Sequence, residues 1–558
     1  MKIFNKIMVN KIYFLIMGFL FSSGLFAATI HVNSSTGDDA SGNGSSGSPY
    51  KTFHKAYTAS SNSDVINLTG TFNWNDSDET GDVAGSGYTI SKNITITGQG
   101  ASSTIIQAHG TYNSADRSVF KISGTVTINN VTIRHGVTTS GSSAGGIDLT
   151  GTLTIDRSVI SYNRYNSSDY YGAGGIFTDQ NSTLTMDDVT IDNNVFDGKY
   201  WGSGGLYSTQ LGTITINNST FSNNTTTSTH PTTYTYSYAQ PSGALGVYRF
   251  CSVKITNSTI RGNTTNSYGG AFQVYEPTRF IITNCTIANN NADAGAGGIN
   301  FESVTSGYKI YLKNTILANN TGNSASNDFY SDSGSSSSGY ISDGGYNIVE
   351  SSTNYTFSGT GDVTGDQSNL WGTGVSATPS LGDNSTSNST QTLALTSGSV
   401  AIDVGNSSAH GPSGNQITPS STDQRVFSRS STIDIGSYEF GGSDDTAPTT
   451  ASLSPADDAT SISTNSNLIV RFSENVDVES GNVTIKLGSD DSTVEAIDVT
   501  SGQVTGTGTI TITINPSSNF SEQTAYYVEI DATAFDDASS NNYAGISDET
   551  TWNFTSAD

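Results

Sequence analysis

Between residues 90 and 320 apolar and polar positions alternate along the chain. Thr213-Ile-Thr-Ile216 is representative. A two-residue period puts Ile on one side of the backbone and Thr on the other, which predicts strands and no helix. The pattern also repeats. The segments TVTINNVTIRHG, TLTIDRSVISYN, TLTMDDVTIDNN, TITINNSTFSNN, SVKITNSTIRGN, RFIITNCTIANN and KIYLKNTILANN align without gaps. Their last apolar positions are Ile133, Ile160, Ile191, Phe221, Ile260, Ile287 and Leu317, 27 to 39 residues apart. Each unit opens on a small pair: Gly145-Gly146, Gly174-Gly175, Gly204-Gly205, Gly243-Ala244, Gly269-Gly270 and Gly297-Gly298.

A unit of this length holds about three strands and cannot bury its own apolar face, whereas stacked units can. The prediction is an all-β solenoid of about ten coils, each strand ~4.8 Å above its counterpart, with residues such as Ile216 pointing inward. Two polar columns run through the repeat. One is Asn130, Arg157, Asp188, Asn218, Asn257, Asn284 and Asn314; the other is Gly136, Asn163, Asn194, Asn224, Asn263, Asn290 and Asn320. Asn tolerates left-handed backbone and bonds locally, and stacked amides bond along an axis, so both columns read as corners rather than as a ligand row. One repeat on from Cys251 is Thr278, not Cys285, so no disulfide is expected between the two cysteines.

At the start of the chain, Lys2, Lys6 and Lys11 precede the apolar run Ile12–Phe21 and the small residues up to Ala28. This is the grammar of an export signal, assigned to residues 1–27 and too short for a bilayer span. A strand over Ala28–Asn33 follows, then a short helix capped by Thr52 whose Phe53, Ala56 and Tyr57 lie on the first coil. Gly441–Pro448 reads as a linker. Beyond it, Leu468–Phe472, Val483–Leu487, Thr509–Ile514, Tyr526–Ile530 and Thr551–Thr555 are short strand patterns at sandwich spacing.

The repeats and their Asn corners resemble the right-handed parallel β-helix of pectate-lyase-like proteins. Gln391–Leu395, Ala401–Gly405, Thr422–Arg425, Arg429 and Asp434–Glu439 resemble the choice-of-anchor Q region of bacterial surface β-helix proteins, over about residues 340–440. Charges are rare in this chain, so the gathering of Asp403, Asp423, Arg425, Arg429 and Asp434 reads as a paired network closing the last coils, with a catalytic cluster as the alternative. Pro455–Asp458, Phe472–Val476, Ala534–Asp537 and Trp552–Thr555 resemble the bacterial Ig-like domain first known from S-layer proteins. The expected organisation is a signal peptide at 1–27, a capped β-helix at 28–440, a linker at 441–447 and an Ig-like domain at 448–558.

Composition narrows the function. The 49 acidic residues outnumber the 22 basic ones, for a net charge of −27. Such a polyanion repels phosphate backbones, so no nucleic-acid partner is expected. The set of motifs used by polygalacturonases is absent, the six His show no metal-ligand spacing, and Arg134, Arg157, Arg164, Arg261 and Arg279 are scattered. No cofactor is expected, Ca2+ excepted. Asp169, Asp197 and Lys199 would add polar contacts or hold that cation.

The loops before the Gly pairs are rich in aromatics. After Tyr165 they carry eight candidate contacts: Tyr170 and Tyr171, then Tyr200 and Trp201, then Tyr234, Tyr236 and Tyr238, then Tyr268. Repeat register puts these loops on one edge of consecutive coils, where stacked rings suit sugar faces or a protein partner, the alternative being that they pack on one another as loop cores. The sequence reading is a secreted or cell-surface adhesin that binds polysaccharide or matrix through these eight residues. An enzyme acting on acidic polysaccharide and a purely structural stalk are the alternatives.

Overall fold

The computed structural model describes residues 27–558 except 85, 140, 142, 168–170, 199–200, 228–240, 303–308, 324–326, 333–339, 376–378, 383–389 and 413–415. The expected signal segment therefore lies almost wholly outside the described residues.

The fold is nearly all β: a parallel solenoid followed by an Ig-like domain. In each turn a strand such as Thr213–Asn217 bends into a second, Thr220–Ser222, then a short third, Thr225–Thr226. A loop leads to a last strand, Leu245–Tyr248, before the next turn begins. Stacking is parallel and in register: Ile155, Met186, Ile216 and Ile255 occupy one column across four turns. Ile216 is fully buried, as its place in the alternation requires.

The regular stack has about eight turns rather than ten. At its N-terminal end chain is used to cover the exposed sheet edge. At the N-terminal end the helix Phe53–Ala59 is capped by Thr52, whose hydroxyl accepts the Lys55 amide at 3.1 Å. Its Phe53 is buried against Trp74, Tyr88 and Phe120.

The two polar columns do different work. Every member of the first has left-handed backbone, φ 44° to 58°, Arg157 included. That column bends the first strand into the second. The second column is not itself left-handed; the residue ahead of each member is, from His135 to Asn319, with φ 52° to 70°. Its asparagines instead form a buried amide ladder. Asn163, Asn194, Asn224, Asn263 and Asn290 each donate Nδ2 to the Oδ1 of the next turn's Asn at 2.9–3.0 Å, and Asn320 ends the run on Asp328 at 2.8 Å.

The Gly pairs face this ladder. A Cβ on Gly174 would lie 2.5 Å from the Val195 amide nitrogen, and one on Gly175 2.6 Å from the Gly205 carbonyl, so backbone crosses backbone where the section is narrowest. In the fifth unit the register partner of Gly243-Ala244 is Gly270-Ala271, one residue beyond the expected Gly269-Gly270.

Residues 390–440 do not close the end of the stack. They lie along the outer side of the second strands. Gln424 bridges Thr220 and Thr259, Ser437 meets Thr259 and Thr286, and the Gly436 amide donates to the Asn314 carbonyl. The reason is apolar surface: outward-facing Ala288, Ile316 and Ala318 need cover, and Leu393, Leu395, Ala401 and Ile435 supply it. The charged network holds this arm together. Asp423 pairs with Arg425 at 2.6 Å, and Arg429 pairs with Glu439, which was not in the expected set, at 3.1 Å. All four side chains are at most 4% exposed, where an unpaired charge would cost several kcal/mol. Asp434 accepts the amides of Asp403 and Phe440, and burial pushes its carboxyl up to about 7. Asp403 contributes backbone only to that bond and is exposed.

The C-terminal strands form two five-stranded sheets around Phe472, Val528, Trp552 and Phe554. Thr493–Asp498 is a strand that the alternation did not announce. The Ig-like fold touches the solenoid through two arginines: Arg157 donates to the Ser473 carbonyl, and Arg471 donates to the Thr97 hydroxyl at 3.2 Å.

Candidate functional site

The last strands of the regular turns, with further short strands at both ends, build an eleven-stranded sheet. Its inward residues, such as Ile176, Leu206, Leu245 and Phe272, fill the core. Alternation sends the residues between them outward. One outward column is Lys121, Asp148, Phe177, Tyr207, Gly246, Gln273, Asn300 and Tyr330; a second is Tyr248, Tyr275 and Glu302. Facing outward does not leave them exposed. Phe177, Tyr207, Tyr275, Gln273, Asn300 and Glu302 are all buried.

Aromatic rings from the loop edge account for part of this cover. Tyr171 and Trp201 are register partners on neighbouring turns, with ring centroids 5.5 Å apart. Trp201 meets Tyr248 edge to face at 4.2 Å, and Tyr248 stacks on Tyr275 at 5.6 Å and 11°. Phe177 stacks beneath on Tyr207 at 6.2 Å. Tyr171, Trp201 and Tyr248 are half-buried, so each rests on this small apolar cluster and keeps part of its ring open to solvent. Arg249 lies over both Tyr248 and Tyr275, donates to the Tyr275 hydroxyl at 3.1 Å and pairs with Glu276 at 2.9 Å.

Of the residues expected from the sequence, the structure brings Tyr171 and Trp201 together. Tyr268 stands further along the stack. Gly295 leaves room for its ring, since a Cβ there would lie 2.7 Å from Tyr268 Cδ1. Tyr170, Tyr200, Tyr234, Tyr236 and Tyr238 lie outside the described residues, as do Asp169 and Lys199. Asp197 pairs with Arg164 at 2.6 Å. Sequence reasoning missed Tyr207, Tyr248, Arg249 and Tyr275. The available signal was the strand after each Gly pair, where Tyr248 and Tyr275 are 27 residues apart, one of the repeat's own steps.

Along the axis the platform changes from apolar to polar. Asn300 donates Nδ2 to Gln273 at 2.8 Å and to Glu302 at 3.0 Å. Burial pushes the Glu302 carboxyl up to about 7, and its charge in turn raises the hydroxyls of Tyr268 and Tyr330, after their own burial. Burial likewise pushes Asp148 up to about 6 despite Lys121 at 3.8 Å. The Tyr207 hydroxyl is buried without a hydrogen-bond partner. These two raised carboxyls are five turns apart, ~24 Å at strand spacing. Paired carboxylates that cleave glycosidic bonds stand within about 10 Å of each other.

A group of carboxylates suited by its all-oxygen chemistry to a hard cation lies elsewhere. Asp444, Glu474 and Asp537 bring their oxygens within 4.8 Å of one another where the linker meets the Ig-like fold. No helix among the described residues is long and apolar enough to cross a membrane.

Residues 444–556 match the family of bacterial Ig-like domains. No curated protein matches the chain.

Proposed function

We propose that this chain is a cell-surface binding protein that contacts glycan through the outer face of the eleven-stranded sheet. A β-solenoid joined to a bacterial Ig-like domain fits a cell-surface protein. The resemblances to pectate-lyase-like and choice-of-anchor Q proteins, and the export grammar of residues 1–27, support the same placement.

The observation that carries the binding role is the half-exposed series Tyr171, Trp201 and Tyr248, ending on Tyr275, on neighbouring turns of a rigid stack. Aromatic faces stack on the apolar faces of sugar rings, and a parallel solenoid repeats such a contact at ~4.8 Å per turn. A surface already ordered in this way loses little conformational entropy of its own when it binds.

The test is a glycan array probed with the parent and with Trp201→Ala/Tyr248→Ala. A defined set of glycans retained by the parent and lost by the variant supports the proposal. An identical pattern for both proteins refutes it.

A further inference from the structure

Glu302 continues the column of Tyr248 and Tyr275, one turn further along the stack. It is 6% exposed and held by the Asn300 amide. Its electrostatic surroundings are tyrosine hydroxyls and a further carboxylate: it acts on Tyr268 and Tyr330, and Asp332 acts on it. The cations of this face are engaged elsewhere. Lys121 sits against Asp148 and Arg249 against Glu276. Among the described residues no Lys or Arg pairs with Glu302. The Oδ1 of Asn300, also fully buried, has no hydrogen-bond partner.

We propose that this end of the platform is a subsite for a protonated amine on the bound glycan, as in an amino sugar, with Glu302 as counter-charge and the Tyr268 and Tyr275 rings flanking it. The inference rests on the platform reading above and deepens it by naming the ligand class. An ammonium group gains from a carboxylate in a low-dielectric setting and from the electron-rich faces of aromatic rings. A uronic acid brought to the same place keeps the Glu302 carboxyl protonated and gains no ion pair from it. The ligand class is thus opposite in sign to the acidic polysaccharides considered from the sequence. Burial of Glu302 raises its carboxyl, and a cation beside it would draw the proton off, so binding and ionisation support each other.

The experiment uses the full chain and calorimetric titration with three probes: a fully deacetylated chitosan tetramer, its N-acetylated counterpart and a tetragalacturonate, at pH 6 and low salt. The amine tetramer is expected to bind at least about tenfold more tightly than the other two, the size of one charge-assisted contact. Glu302→Gln should remove that preference and leave the N-acetylated tetramer unchanged. If Glu302→Gln melts well below the parent, Tyr268→Leu is used in its place with the same expectation. Uronate binding as tight as amine binding overturns the subsite while leaving the platform standing. So does a preference that survives the variant. If the parent binds none of the probes and the glycan array is also blank, the platform falls and the subsite with it.

Discussion

Trp201 and Tyr248 meet edge to face, with ring centroids 4.2 Å apart and planes at 89°. They come from neighbouring turns, one from a loop edge and one from the end of a core strand. The contact ties loop to sheet and leaves both rings half-open, which makes stability and binding separable by mutation.

Trp201→Ala/Tyr248→Ala should cost about 3–5 kcal/mol of stability, half of what two fully buried aromatics would cost. A fully buried aromatic costs about 3–5 kcal/mol on truncation, and these two are only half-buried. Glycan binding should be lost in the same protein. Thermal melting beside the array separates the outcomes, and a large fall in melting temperature with binding retained contradicts the assignment.

Asn224→Ala should be more damaging than its size indicates. Asn224 accepts from the backbone and side chain of Asn194 and donates to Asn263 and to the Ile191 carbonyl. Removing it strands several buried groups at about 1–3 kcal/mol each. Denaturant unfolding should show a loss of at least about 3 kcal/mol. A loss below about 1 kcal/mol would mean that the ladder is not under tension in the folded protein.

Stability should fall as pH rises from about 4.5 to 7. Glu79 accepts the Phe53 amide at 2.7 Å and the His54 amide at 3.1 Å at the start of the capping helix, yet burial pushes it up to about 7 from 4.5. Between those values the folded protein keeps a proton that the unfolded chain has released. The stability from this group is therefore complete below 4.5 and is lost as pH rises through 7. Glu302, Asp434 and Asp362, also raised to about 7, act in the same direction. His31, lowered by burial, acts oppositely, and only below its ordinary value. Glu79→Gln should flatten the slope of melting temperature against pH; an unaltered slope excludes Glu79 as a contributor.

Arg471→Met should leave the Ig-like fold as stable as before, or more so. Arg471 is 8% exposed, its Nη2 has no partner, and burial together with the like charge of Arg157 lowers it to about 10. Replacing a poorly compensated buried charge by an apolar side chain of similar volume is often neutral or favourable. Calorimetry of the full chain reads this directly, and a fall of several degrees in the second transition would show that the bond to Thr97 outweighs the desolvation.

Cys251 and Cys285 should resist alkylation in the folded protein and react together on unfolding. Both are free and buried; burial raises the Cys251 thiol and pushes Cys285 up to about 12. Thiol counting in denaturant without reductant should give two. A count of zero would mean a disulfide and a different register.

Much of the fold was legible because its determinants are local. A two-residue period fixes which side of a strand faces inward, so Ile216 was placed without any coordinates. Thr52 ahead of Phe53 marks a helix start because a capping hydroxyl serves an amide three residues away. Left-handed corners at Asn130, Asn218 and Asn284 follow from what Asn tolerates. What lies across the stack was beyond such reasoning. Nothing local tells that Gln424 bonds Thr259, or that residues 390–440 cover a sheet flank rather than an end, since that depends on which outward positions happen to be apolar. The site divides in the same way. Repeat register put the loops of Tyr171 and Trp201 on one edge, where the structure pairs the two rings, whereas Tyr248, Tyr275 and Glu302 were hidden in what reads as ordinary strand. Sequence determined the alternation, the corners and the parallel stack, because each is set within one turn. Only the tertiary structure decided which outward residues were buried together, because burial is a property of neighbours that the chain brings in from several turns away.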